Sequence, residues 1–272
     1  MKTILVATDF SPAALNAANY AADMAMAINA DLYLLHVYRF PLSYSDIDFA
    51  LSTMDIEKIA EKDMHGFMEL LIQRSGNKLN ITSEVRLGGF FPELHAVCKS
   101  IDPYAVVMGC QGTTAAERII MGGHAVYAMK HLSWPLITVP VTAKFQQVKK
   151  IGLACDLRNV INTTPIDEIK SLVRDFNAEL HILNTGKESE FSADTVFESG
   201  MLQEMIYDLK PKYHFITNKN IDAGIIEFAD NNHIDLLIVL PKRHGILGQL
   251  VHRSHSRQIV LHSHVPVMAL HQ

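Results

Sequence analysis

Charged side chains are scarce. Asp, Glu, Lys and Arg make up 19% of the 272 residues, against 49% hydrophobic ones. That balance excludes an intrinsically disordered chain and leaves ample material for a core. No apolar run approaches the roughly 18 residues that a membrane span needs, so no membrane partner is expected. A basic excess is missing too: 24 Lys and Arg face 29 Asp and Glu, a net charge of −5, which offers nucleic acid no electrostatic footprint. The three cysteines (Cys98, Cys110 and Cys155) lack metal-ligand spacing, and their odd number argues against a disulfide framework. They predict a reduced, cytoplasmic setting with Cys110 as an ordinary thiol. There is no Gly-Lys-Ser/Thr phosphate loop, no Ser-His-Asp order and no paired-carboxylate site. Phosphoryl transfer calls for cationic stabilisation of the phosphates, so no dedicated ATPase is expected and no catalytic residue is assigned. The opening MKTILVATDFS carries only a short apolar stretch ending at Asp9, and it reads as a strand rather than a secretory leader.

What is present alternates regularly. Thr3–Thr8 is β-branched and apolar, hence a strand. Ser11 can cap the Ala- and Met-rich helix that follows, with Pro12 in its first position. Leu32–Val37 is a second strand and 38–50 a loop. From Leu51 to Arg74 the residues Ile56, Ala60, Met64, Phe67 and Leu71 step by four, four, three and four, which predicts a helix. Strand Ile81–Leu87, helix Pro92–Ser100, strand Tyr104–Met108, helix Gly122–His131 and strand Trp134–Val139 complete this half. Strands alternating with helices imply a parallel α/β sheet covered on both faces.

The second half repeats the order. Lys150–Asp156 is a strand, Thr164–Asn177 a helix with Pro165 at its start, and Leu180–Asn184 a strand. The polar stretch 185–200 reads as a loop. Helix Met201–Leu209, strand Tyr213–Thr217, helix Asp222–Asn232, strand Leu236–Leu240 and a last strand Val265–Leu270 follow. Near the end the halves align at an offset of 131, so that His124 meets His255, His131 meets His262 and Pro135 meets Pro266. Thr142–Val148 is a short linker. The chain is a tandem duplication. A strand ending each repeat leaves an edge to be covered, which predicts that the two last strands pair with each other.

The stretch with chemical content is Gly109-Cys110-Gln111-Gly112, nine further residues, then Gly122-Gly123-His124-Ala125. Glycines directly after a buried parallel strand let main-chain amides approach an anion with no Cβ in the way. Glycines opening a helix add free N–H groups and the positive end of its dipole. Together with Asp9 at the end of the first strand they mark a phosphate site at the carboxyl edge of a sheet. The same glycines also suit a tight turn and close packing, and both readings stand at this point.

These residues resemble the universal stress proteins, whose ATP-binding pattern is Gly-x2-Gly-x9-Gly-(Ser/Thr). Gly109, Gly112 and Gly122 match it in register, and Gly123 stands where the family has a hydroxyl residue. Ala7-Thr8-Asp9 matches the strand end whose Asp contacts the adenosine moiety, and His36-Val37 matches the position whose main chain contacts adenine. The resemblance implies two doubly wound, Rossmann-like domains, of the adenine-nucleotide alpha-hydrolase-like class, arranged as a pseudo-twofold pair. It implies residues 1–141 as a nucleotide-binding unit and 149–272 as a degenerate one. The implied function is adenine-nucleotide binding in a stress-response or regulatory role. The ligand would be ATP or AMP, with Mg2+ as a candidate companion ion. The binding residues would be Ala7, Thr8, Asp9, Val37, Gly109, Gly112, Gly122, Gly123, His124 and Ala125. A protein-interaction module without nucleotide, a slow ATP hydrolase, an unknown protein partner and a homodimer of the tandem chain are the alternatives and additions.

In the second half every motif glycine is replaced: Leu240, Arg243 and Arg253 stand at the three positions, with Ser254 and Ser256 keeping hydroxyls at the helix start. Side chains there fill the space that phosphates need, which predicts no nucleotide. Nine of the fourteen histidines lie in this half, with His244, His252 and His255 near the replaced loop. No acidic or Cys partner has ligand spacing, so they are read as solvated or hydrogen-bonded rather than metal-bound, and no metal is assigned. His262 and His264 are read as structural or at most pH-responsive.

Overall fold

One ten-stranded sheet runs through the molecule in this computed structural model, which describes residues 1–39, 53–110, 122–185, 193–241 and 255–271. The first half contributes β1 (Thr3–Ala7), β2 (Asp31–Tyr38), β3 (Ile81–Leu87), β4 (Ala105–Cys110) and β5 (Leu136–Pro140). The second contributes β6 (Lys150–Ala154), β7 (Glu179–Thr185), β8 (Lys212–Ile216), β9 (Leu236–Val239) and β10 (Val267–Ala269). Their order is β3-β2-β1-β4-β5-β10-β9-β6-β7-β8. Neighbours are parallel throughout except β5 and β10. These two run antiparallel, with Thr138 opposite Val267, Ile137 opposite Met268 and Leu136 opposite Ala269. Each half thus has the same doubly wound order, and the seam makes the halves a pseudo-twofold pair. The two last strands cover each other's edge, as the sequence predicts.

The helices are α1 (Pro12–Ile28), α2 (Thr53–Ser75), α3 (Phe90–Ile101), α4 (Gly122–His131), α5 (Val160–Thr163), α6 (Ile166–Phe176), α7 (Ala193–Ile206), α8 (Ile221–Asn231) and α9 (His255–His262). They divide between two apolar layers. The layer on one face of the sheet takes residues from α1, α2, α5, α6 and α7. The layer on the other takes residues from α3, α4, α8 and α9. Both layers continue across the seam, where α1 meets α6 and α4 meets α9. Tyr104 donates its hydroxyl hydrogen to Asp175 Oδ2 at 2.8 Å, and Lys2 pairs with the same carboxylate, tying the first half to α6.

Helix α1 shows why the sequence folds as it does. Ser11 Oγ accepts the Ala14 N–H at 3.2 Å, Pro12 takes the first position, and Asn29 ends the helix in the left-handed region at φ 54°. Ala17, Ala18, Ala21, Ala22 and Ala25 are completely buried, so the helix axis comes close to β1 and β4.

The structure corrects several sequence expectations. Residues 193–200 of the stretch read as a loop are the first turns of α7. Leu202 and Ile206, one turn apart and fully buried, anchor that helix, while Val196 and Phe197 in its first turns are exposed. A Met201–Leu209 helix is therefore replaced by Ala193–Ile206 and a 3-10 turn at Tyr207–Leu209. The expected Thr164–Asn177 helix is split into α5 and α6. Thr164 precedes Pro165, whose ring drives it into extended backbone at φ −113°, ψ 113°, so helical geometry cannot cross it. Pro165 caps α6 rather than sitting inside it. The third helix starts at Phe90 rather than Pro92, the fifth strand spans Leu136–Pro140 rather than Trp134–Val139, and the last spans Val267–Ala269 rather than Val265–Leu270. Residues 51 and 52 of the Leu51–Arg74 expectation lie outside the described residues.

The second half buries a histidine pair between β7 and β8. His181 Nδ1 lies 3.0 Å from His214 Nε2 with the rings nearly parallel, and Phe228 of α8 packs on His214. Burial holds both imidazoles below the ordinary histidine range. Lys212 disfavours charge on both and Lys150 on His181; Glu179 partly offsets this at His181, and His181 disfavours charge on His214. An unfolded histidine titrates near pH 6.5, so below that pH the unfolded chain takes up protons that the folded one refuses. The contribution of the pair is complete above about pH 6.5 and is lost as pH falls toward the folded-state values. The melting temperature is expected to fall between about pH 7 and 5.5, and to fall less in His214→Leu. Identical slopes in wild type and variant would refute the assignment.

Candidate functional site

The strand order reverses between β1 and β4, and the carboxyl ends of these two strands hold most of the residues singled out from sequence. Open α/β sheets present their binding crevice at such a reversal. Ala7 is the buried last residue of β1. Thr8 continues the ladder, its N–H donating to Leu35 O at 2.9 Å, and its Oγ1 accepts the Phe10 N–H at 3.0 Å. Asp9 is exposed, with Oδ1 accepting the Ser11 N–H at 3.0 Å. One carboxylate oxygen therefore fixes the turn, and the side chain stays at the rim of the crevice. Phe10 adopts φ 62°, rare for a bulky residue. Its ring packs on His36 at 4.3 Å and on Phe67 at 5.7 Å.

Val37 is placed by strand alternation. Leu35 O accepts from Thr8 on the β1 side, and Tyr38 O accepts the Gly88 N–H at 3.0 Å on the β3 side. Carbonyls alternate sides along a strand, so the main-chain N–H and C=O of Val37 face the β1 side, beyond the last residue of that strand. A donor and an acceptor thus look together into the crevice.

Gly109 lies in β4 under the first turn of α1. A Cβ built on it would stand 2.7 Å from Ala13 O and 2.8 Å from Ala13 C, both main-chain atoms. The close packing of α1 therefore requires this glycine whether or not phosphate binds. Gly112 lies outside the described residues. Gly122 and Gly123 open α4, and among the described residues a Cβ on Gly123 would meet nothing within 4 Å. His124 is exposed and rests on Phe90 at 5.0 Å, with Phe91 edge-on at 5.5 Å; Ala125 is fully buried. The structure brings Ala7, Thr8, Asp9, Val37 and Gly109 to one sheet edge, with Gly122, Gly123, His124 and Ala125 in the first turn of the helix leading back to β5. The hold of Phe90 and Phe91 on His124 and the turn at Phe10 leave no trace in sequence spacing. Two cavities, about 150 Å3 beside the linker at Lys144 and Asp235 and about 260 Å3 between Met64 and Ser83, lie away from this crevice.

Cys110 is buried, its thiol donates toward Val260 O at 3.4 Å across the seam, and burial pushes its pKa up to about 11. It is a protonated thiol at neutral pH.

In the second half, Cys155, Asp156 and Leu157 repeat the turn after β1. Cys155 N donates to Leu183 O at 3.0 Å, and Leu157 takes φ 51° as Phe10 takes 62°. Asp156 Oδ1 accepts the Arg158 N–H at 3.3 Å, as Asp9 Oδ1 accepts the Ser11 N–H in the first half. Leu240 replaces Gly109 and packs half-buried against the layer that includes Leu157 and Val160. Arg243, His244, His252, Arg253 and Ser254 lie outside the described residues. His255 pairs with Asp222 and His264 with Asp230. Among the described residues no group of three His, Cys, Asp or Glu side chains could hold a metal ion, and no helix is long and apolar enough to cross a membrane.

The universal stress protein family model matches twice, at residues 1–140 and 148–271. A universal stress protein from Archaeoglobus fulgidus DSM 4304 superposes with TM-score 0.76 at 16% identity, covering 99% of this chain and 98% of that one. A functionally unknown protein from Pseudomonas aeruginosa PAO1 superposes with TM-score 0.63 at 13% identity, covering 99% and 92%. A universal stress protein family protein from Arabidopsis thaliana with AMP bound covers 52% of this chain and 92% of its own, at 14% identity and TM-score 0.36. No curated protein sequence matches significantly. Two family matches filling nearly the whole length, on two repeats of one doubly wound order, mean that the chain belongs to the universal stress protein family, with two of its domains in tandem.

Proposed function

We propose that the first unit, residues 1–141, binds an adenine nucleotide, AMP or ATP, in a stress-response or regulatory role, and that the second, 149–272, has lost that site. The observation that carries this reading is the outward-facing donor and acceptor of Val37, at the strand-order reversal and beside Asp9. Such a pair matches the edge of adenine, which presents an acceptor nitrogen next to an amino donor. Asp9 at the rim suits ribose hydroxyls. The start of α4, with open space at Gly123, suits phosphate oxygens. Mg2+ would accompany ATP on its phosphates. Denaturing the purified protein and weighing what it releases by mass spectrometry tests the reading, followed by calorimetry with AMP and ATP. Binding of neither would overturn it.

Gly123→Ser supplies a sharper check. The added side chain meets none of the described residues, and its hydroxyl can donate to a phosphate oxygen. One hydrogen bond to a charged group contributes about 1.5 kcal/mol, so ATP is expected to bind about tenfold tighter, with unchanged melting behaviour in the absence of ligand. Equal or weaker affinity would place the phosphates elsewhere.

A further inference from the structure

We propose that His36 is a positioning residue of this site, holding the turn after β1 in the shape that presents Asp9 to the ligand; this rests on the nucleotide reading above. His36 Nδ1 lies 2.8 Å from Thr8 O. A carbonyl only accepts, so Nδ1 carries the hydrogen and donates it. The bond clamps the peptide that leads directly into Asp9. The next residue, Phe10, sits in the left-handed region at φ 62°, where a bulky side chain persists only if its surroundings hold it. His36 supplies that hold as well, its ring packing on Phe10 at 4.3 Å.

The second unit shows which part of the arrangement matters. Asn184 stands where His36 does, one residue past the carbonyl that closes the ladder, and its Nδ2 donates to Cys155 O at 2.9 Å. Leu157 follows in the left-handed region at φ 51°. Imidazole and carboxamide share no chemistry here except an N–H donor reaching the same carbonyl. The donor is therefore the working feature, and the ring is one way to provide it.

Calorimetry with AMP on the full chain tests this, using His36→Leu, His36→Asn, Asp9→Asn and the Asp9→Asn, His36→Leu double variant. His36→Leu removes the donor and is expected to weaken AMP about tenfold. His36→Asn keeps it and is expected to stay within about threefold of wild type. Asp9→Asn keeps the acceptor for Ser11, and on that background His36→Leu is expected to cost no further affinity, because His36 acts through Asp9. Thermal melts of the same proteins separate folding from binding. Wild type binding neither AMP nor ATP would bring down the nucleotide reading and this inference with it; a wild type that binds only ATP is carried through the same series with ATP. Wild type binding normally would leave the reading standing and overturn this inference alone in any of three outcomes: His36→Leu binding as tightly, His36→Asn failing as badly as His36→Leu, or the two losses simply adding.

Discussion

Gly109→Ala is expected to destabilise the chain by about 3 kcal/mol in the complete absence of nucleotide, in the range of core overpacking. The added Cβ would fall 2.7 Å from Ala13 O and 2.8 Å from Ala13 C. Neither is the end of a flexible side chain. Both belong to the first turn of α1, which is fixed by the Ser11 cap and by a row of fully buried alanines. Relief requires the whole helix to lift from β4, which opens voids along that row. In a cooperative domain of this size the melting temperature should drop by roughly 6–12 °C. Gly123→Ser, in the same motif, should leave it unchanged. A thermal melt of both apo proteins checks the contrast. If Gly109→Ala melts like wild type and loses only nucleotide affinity, its Cβ faces the ligand and the packing explanation fails. The motif thus contains at least two kinds of glycine, one that makes room for a helix and one whose Cβ position meets none of the described residues.

That division was not legible in the spacing. Gly-x2-Gly-x9-Gly identifies the family, and its register carries no record of which neighbour each glycine accommodates. What was legible is what depends on local pattern. The β-branched run at Thr3–Ala7 and the four-residue stepping of Ile56, Ala60, Met64, Phe67 and Leu71 each declare their element, and the offset of 131 declares the duplication. Pairing of the last strands followed from the need to cover an edge. The start of α7 was hidden because Ser, Asp and Glu dominate residues 192–199, and burial of Leu202 and Ile206 outweighs that local polarity. The break between α5 and α6 was half visible: Pro165 was recognised, but its effect on the preceding Thr164 decides where the helix can begin. At the site, Asp9 is singled out by its place at the end of the first strand and Val37 by the family resemblance. The bond from His36 to Thr8 joins residues 28 apart in sequence and exists only once β1 and β2 lie side by side.

One nucleotide per chain is expected, not two, and the second unit shows why. Leu240 replaces the glycine under the first helix, and Pro165 breaks that helix. Where α1 runs unbroken from Pro12 to Ile28, its counterpart is one turn of α5, a break at Thr164–Pro165, and then α6. Among the described residues neither α5 nor α6 approaches β9 as closely as α1 approaches β4. Leu240 fills part of that room against the layer of Leu157 and Val160. A carboxylate already occupies the turn: Glu198 Oε2, reaching over from α7, accepts the Val160 N–H at 2.7 Å. A nucleotide seated at this turn, as the first unit would seat one beside Asp9, meets a second side chain already bound there. Arg243 and Arg253 lie outside the described residues, and the attraction of any exposed charge for an anion is screened by salt beyond about 8–10 Å. Steric filling and the resident carboxylate act at contact distance and outweigh that attraction. Calorimetric titration with ATP should give a stoichiometry near one, and Gly123→Ser should tighten that single event without adding a second. Leu240→Gly alone should not restore a second site, since Glu198 and the broken helix remain. A stoichiometry of two in the wild-type chain, or a second equivalent gained by Leu240→Gly, would show that the second unit keeps a working site.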